Sequence, residues 1–222
     1  MKPPVSAFYL LLLIFTLGFL LAFIQIGILT IAFDKLGLSP HSALLLLVTS
    51  LFGSLINLPL FTIKAEPPPP GLSPSPWQGL LRQPLREFRG KTIIAVNVGG
   101  CIIPVAFTLY LLQYHDLPAL KLILAIIIVS AVCYHFSRPI PGLGIGMPIF
   151  IAPLAAAFTA LILSPEHSAP LAYISGTLGV LIGADILRLK NIRAMGVPVA
   201  SFGGAGTFDG IFLTGIIAAL LA

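Results

Sequence analysis

Charge is scarce in this chain. Only 9% of its 222 residues are Asp, Glu, Lys or Arg, where an average soluble domain carries roughly 25%. Apolar residues make up 58%, and the mean hydropathy is +1.07. That balance excludes a soluble globular enzyme, a nucleic-acid binder and a disordered protein. Cysteine is scarcer still. Cys101 and Cys133 are the only two, and both fall in apolar runs, which argues against a disulfide framework. Clustered ligands are missing as well: no His, Cys or acidic residues recur at i, i+3 or i+4 along one apolar run. Neither a phosphate loop nor a nucleophile elbow is present. The sequence therefore implies no metal and no cofactor.

Long apolar runs are what the chain does have. A membrane helix needs roughly 20 apolar residues, and seven candidate spans follow: 5–33, 42–63, 92–113, 118–134, 147–164, 168–188 and 207–222. The first is too long for a signal-peptide core and has no small-residue cleavage site, so it reads as a retained helix. Basic residues test the count. With the N-terminus in the cytoplasm, Lys2, Lys64, Arg82, Arg86, Arg89, Lys91, Arg138, Arg188, Lys190 and Arg193 fall inside, and only Lys35 and Lys121 fall outside. The expected fold is therefore all-α: a single polytopic transmembrane domain over 1–222, with seven helices, a cytoplasmic N-terminus and an outside C-terminus. It would sit as a multi-pass protein in the inner (plasma) membrane of the cell. The lipid bilayer is its first partner, and no nucleic acid is expected.

The longest loop, 64–91, opens on Glu66 and four prolines, a stiff spacer. Trp77, Leu80, Leu81, Leu85 and Phe88 follow at helical spacing with three arginines between them, a pattern suited to lying on an anionic leaflet. A plain anchored linker accounts for the same residues. Two Gly/Pro-rich stretches, 138–148 and 196–206, precede the fifth and seventh spans on the same side. Such backbone is tolerated at membrane depth only against protein or a wet cavity, so the pair suggests a cavity opening to the cytoplasm. Ordinary surface turns are the plainer alternative.

Of seven acids, only Asp185 and Asp209 fall in or beside apolar spans. A carboxylate there costs on the order of 3 kcal/mol by insertion scales, so each needs a partner or a chemical task. The sixth and seventh spans are consecutive and antiparallel, and both acids lie near their cytoplasmic ends. Two carboxyls brought together share one proton, which suits either hydrolysis through an activated water or proton and cation coupling. Bland readings compete: Asp185 pairs with Arg188 at i, i+3, and Asp209 caps the seventh helix.

Helix faces bear on the choice. Gly206, Gly210, Thr214, Ala218 and Ala222 form a small-residue ridge on the seventh helix, and Gly176, Gly179 and Gly183 form one on the sixth. Asp185 points away from its own ridge, so it meets Asp209 only if that ridge packs on some other helix. Gly204, Gly206, Thr207 and Asn97 are the candidate binding residues. Gln25 and Asn57 are weaker polar candidates inside the first and second spans, where a lone amide more often bonds between helices.

Gly183-Ala184-Asp185 and the run Gly203-Gly204-Ala205-Gly206-Thr207-Phe208-Asp209-Gly210-Ile211-Phe212 resemble a prokaryotic membrane family, domain of unknown function 1614, most clearly over 134–222. The resemblance brings no activity with it. A looser one is to the presenilin and signal-peptide-peptidase class of intramembrane aspartyl proteases, which place one aspartate on a sixth helix and one on a seventh. It implies a catalytic pair at Asp185 and Asp209. Thr207-Phe208 lies between the glycines and Asp209, and Ala184 stands where that class has tyrosine. Three functions follow as expectations: an aspartyl peptidase-like protein acting on a membrane-embedded peptide, a proton- or cation-coupled carrier or channel for a small solute, and a non-catalytic scaffold.

Overall fold

A computed structural model describes residues 7–25, 28–67, 90–140, 144–204 and 210–222. In chain order these form α1 (Ala7–Gln25), α2 (Ile28–Lys35), α3 (Pro40–Gly53), β1 (Asn57–Lys64), β2 (Lys91–Asn97), a π turn (Val98–Ile102), α4 (Ile103–Tyr114) and α5 (Ala119–Phe136). They continue as β3 (Arg138–Ile140), β4 (Gly144–Gly146), α6 (Ile151–Leu163), α7 (Ser168–Val180), a second π turn (Leu181–Ile186), the single turn α8 (Leu189–Ile192), β5 (Val199–Phe202) and α9 (Gly210–Leu221).

Helix α7 is the axis of the bundle. Every residue from Ser168 to Val180 except Leu178 is buried, and α5, α6 and α9 enclose it. Small residues make this possible. A Cβ on Gly176 would lie 3.1 Å from Thr214 of α9 and 3.3 Å from Ala156 of α6, and one on Gly179 would lie 2.5 Å from Val129 of α5. Pairing of 129 with 179 and 133 with 183 makes α5 and α7 parallel. Helix α9 runs antiparallel to α7, because Ser168 Oγ donates to the Ala222 carbonyl while Gly176 meets Thr214 and Ala218.

The all-α expectation needs correction. Three strands form a sheet in the order β1-β2-β5, with β1 antiparallel to β2 and β2 parallel to β5; β3 and β4 form a separate hairpin. The predicted second span, 42–63, is α3 followed by β1. The third, 92–113, is β2, the π turn and α4. An apolar run reads alike as buried helix or strand, and here β-branched residues in Thr92-Ile93-Ile94-Ala95-Val96 favour the strand. The first span holds two helices, α1 and α2. Among the described residues two helical stretches are long and apolar enough to cross a membrane, Ala119–Phe136 and Pro165–Ile186; shorter apolar helices accompany them. Residues 68–89, with Trp77 and the arginines of the expected 64–91 surface segment, lie outside the described residues.

Candidate functional site

Three interruptions of regular structure meet at one place. The first is the π turn after β2. Asn97 caps it: its Oδ1 accepts from Gly100 N at 2.7 Å, and its Nδ2 donates to the Ser54 carbonyl at 2.7 Å and to Asn57 Oδ1 at 3.1 Å. Ser201 Oγ of β5 donates to the same Asn57 oxygen at 2.7 Å. Asn97, fully buried, therefore ties α3, β1 and the π turn together through its own amide. That is the interhelical-type bond weighed for a lone amide, carried out between strand and turn. Ser50 Oγ donates to the Gly99 carbonyl at 2.5 Å, and a Cβ on Gly99 would collide with the Ser50 carbonyl at 1.8 Å.

The second interruption is the segment after β5. Gly203 and Gly204 have φ of +79° and +83°, left-handed conformations that only glycine adopts without strain. Gly203 also lies in backbone contact with the π turn: its Cβ would fall 2.6 Å from the Gly100 carbonyl carbon and 2.7 Å from Cys101 N. The third is the π turn ending α7, which carries Asp185. Asp185 is half-buried, and its Oδ2 accepts from Gly203 N at 3.4 Å. Wide π turns often mark functional positions, because the extra residue breaks the i to i−4 ladder.

The small-residue ridge of α7 divides. Gly179 and Gly183 face α5, where a Cβ on Gly183 would lie 2.2 Å from the Ser130 carbonyl and 2.9 Å from Cys133 Cβ. Only Gly176 meets the ridge of α9. Near Asp185 the ridge therefore packs on α5, the arrangement under which the acid can face the segment leading to Asp209. Asp209 itself, with Gly206 and Thr207, lies outside the described residues. For Gly210, the next residue, a Cβ would meet none of the described residues within 4 Å.

Arg188, the i, i+3 neighbour of Asp185, reaches the end of α5. Its guanidinium donates to the Tyr134 carbonyl, to the Ser137 carbonyl at 2.9 Å and to Ser137 Oγ at 3.1 Å, and it stacks 4.1 Å over the Tyr134 ring. It thus closes the C-terminal end of α5, where a cation is favoured by the helix dipole. Among the described residues no group of three or more His, Cys, Asp or Glu is placed to hold a metal ion. Sequence reasoning missed the roles of Ser50 and Ser201. A hydroxyl inside an apolar run was the available signal, but it does not say which carbonyl it will meet.

The fold and site define a class: an apolar helical bundle around one buried helix, with an acid at a glycine-built crossing of broken segments. The chain belongs to the family described as "Protein of unknown function (DUF1614)", which matches residues 51–221. No curated protein matches, and no solved structure matches. The likeness to presenilin-type proteases gains no support from these comparisons.

Proposed function

We propose that this chain is a multi-pass inner-membrane protein, with its N-terminus cytoplasmic, that couples movement of a small solute or cation to protonation of Asp185 and Asp209. Charge distribution supports the orientation. Arg188 and Arg138 lie at the C-terminal end of α5, and Arg193 lies beside Glu66 and β1. Lys35 lies at the opposite end, donating to the Leu220 carbonyl at 3.2 Å. Basic residues gathered at one end match a cytoplasmic face.

One observation carries the functional reading: the Asp185 carboxylate sits on a broken segment of the buried helix and binds the backbone of the glycine segment that leads to Asp209. In membrane carriers, interrupted helices bring backbone groups and acids to a site that binds ions. Gly204, Gly206 and Thr207 would supply backbone and hydroxyl ligands there. Buried hydroxyls without an aligned hydrogen bond on α4, α5 and α7 (Thr108, Ser130, Tyr173 and Thr177) add a polar lining to the bundle.

The same hydrogen bond favours a second reading, an aspartyl peptidase-like activity on a membrane-embedded peptide. Five residues separate Gly203 from Asp209, so the second acid is within short chain reach of the first.

Purified protein in vesicles with a trapped pH indicator tests the proposal. An imposed cation or solute gradient is expected to move protons, and Asp185→Asn and Asp209→Asn are each expected to abolish the movement. Cleavage of a spanning reporter peptide inside its apolar segment, lost in both variants, would assign the peptidase reading instead. Wild-type behaviour of both variants in both assays would remove the chemical role of the acids.

A further inference from the structure

The buried axis of the bundle carries two hydroxyls that packing alone does not require. Tyr173 and Thr177 of α7 are fully buried, and neither hydroxyl makes an aligned hydrogen bond among the described residues. Such a group gives up its bonds to water on folding and gains none in return. Phenylalanine and valine would fill the same space without that penalty. A hydroxyl held by no fixed bond can, however, accept a proton on one side and donate one on the other.

The two hydroxyls share one space. They lie one turn apart on α7, and both border Gly215 of α9: a Cβ there would fall 2.7 Å from Thr177 Oγ1 and 2.7 Å from Tyr173 Cε2. The absent side chain of Gly215 leaves the room beside them. The Tyr173 ring also meets Phe107 of α4 edge to face, with centroids 4.9 Å apart. This stripe of α7 therefore faces α4 and α9.

Asp185 belongs to the same stripe. It follows Thr177 by eight residues, which in an unbroken α-helix would turn it about 80° away. The extra residue of the Leu181–Ile186 turn takes back about 100°, so Asp185 returns to within about 20° of Thr177. Contacts at that end agree. Asp185 binds Gly203, and Gly203 lies against Gly100 and Cys101, in the turn that leads into α4. Tyr173 meets α4 itself, farther along. Both ends of the stripe thus look toward one neighbouring segment.

We propose that Tyr173 and Thr177 relay protons between Asp185 and the middle of the bundle. This rests on the proton-coupled reading above and gives that reading a path. In each step an oxygen receives a proton from one neighbour and passes its own O–H proton to the next. The hydroxyls end unchanged, and no oxidant or reductant takes part. Thr177 is roughly 12 Å from Asp185 along the helix axis at 1.5 Å per residue, a gap that about three waters bridge.

Proton movement in the vesicle assay would be compared for wild type, Tyr173→Phe, Thr177→Val, the double variant and Thr177→Ser, each also melted in detergent. Tyr173→Phe and Thr177→Val should each slow the movement at least about tenfold, with melting midpoints at or above wild type. Thr177→Ser keeps the hydroxyl and should stay within about twofold of wild type. A double variant that runs at the wild-type rate overturns the inference. So does a Thr177→Ser variant as slow as Thr177→Val, which would make shape rather than the hydroxyl the requirement. Slowing accompanied by a midpoint several degrees lower overturns it too, because the hydroxyls would then be structural bonds. Asp185→Asn separates this inference from the reading beneath it. Movement abolished in Asp185→Asn but normal in the double variant removes only the relay, and no movement in wild type removes the coupling and the relay together.

Discussion

The amide of Gly203 donates to the carboxylate of Asp185 at 3.4 Å, across eighteen residues of chain and between two segments that are neither α-helix nor strand. Gly203 reaches this position because it has no side chain. Its φ is +79°, and a Cβ would meet the backbone of Gly100 and Cys101.

Gly203→Ala should therefore destabilise the protein by at least about 2 kcal/mol, combining left-handed strain with a backbone collision. Thermal unfolding in detergent measures it. A melt within half a degree of wild type would show that the segment does not lie against the π turn.

Asn97→Ala removes three hydrogen bonds and leaves the buried Gly100 amide and Ser54 carbonyl without that partner. A loss of roughly 2–4 kcal/mol is expected. Asn97→Asp keeps the acceptor for Gly100 but sets a buried carboxylate oxygen against the Ser54 carbonyl and Asn57 Oδ1, so its melt should fall at least as far as that of Asn97→Ala.

Two glycines make a matched pair. Gly183→Ala forces a methyl against the Ser130 carbonyl and Cys133 and should cost about 1–3 kcal/mol. Gly210→Ala meets none of the described residues and should be neutral, or stabilising by up to about 1 kcal/mol through helix propensity. If the space beside Gly210 is where a solute passes, Gly210→Ala lowers flux in the vesicle assay while the melt stays high.

Tyr173 and Thr177 approach one another one turn apart on α7, and neither hydroxyl makes an aligned hydrogen bond. Both residues are fully buried. Removing an ill-satisfied buried hydroxyl is neutral or stabilising, whereas removing a bonded one costs about 1 kcal/mol. Tyr173→Phe and Thr177→Val are thus expected to melt at or above the wild-type midpoint. A fall of several degrees in either would mean that its hydroxyl is well bonded.

Arg188→Lys keeps the charge and loses the fork that binds Ser137 and Tyr134 together with its stacking on the Tyr134 ring. A loss of about 1–2 kcal/mol is expected, read by the same melt.

Legibility in the sequence followed how far one periodicity can carry. Ala119–Phe136 and Pro165–Ile186 are continuous apolar runs near membrane length, and both were readable as helices. Spans 42–63 and 92–113 were not, because hydropathy scores Leu58-Pro59-Leu60-Phe61 and Ile93-Ile94-Ala95-Val96 the same in either conformation. Asn57, with Pro59 just after it, was the local sign that a helix had ended. At the site, the isolation of Asp185 among apolar residues and the glycines at 203 and 204 stood out in the sequence. The partner of Asp185 did not, since a backbone amide leaves no trace in residue identity. Nor did the binding of Arg188 to Ser137 and Tyr134, which depends on where α5 ends.

The wide turn from Leu181 to Ile186 holds one residue more than an α-helix requires for the same advance. It is in effect a stored register shift. Absorbing that extra residue, by deletion or by a change in the helix itself, would turn Asp185 about 100° around the axis. The carboxylate would then leave the Gly203 amide, and two orientations of one acid would follow from a single residue's worth of winding.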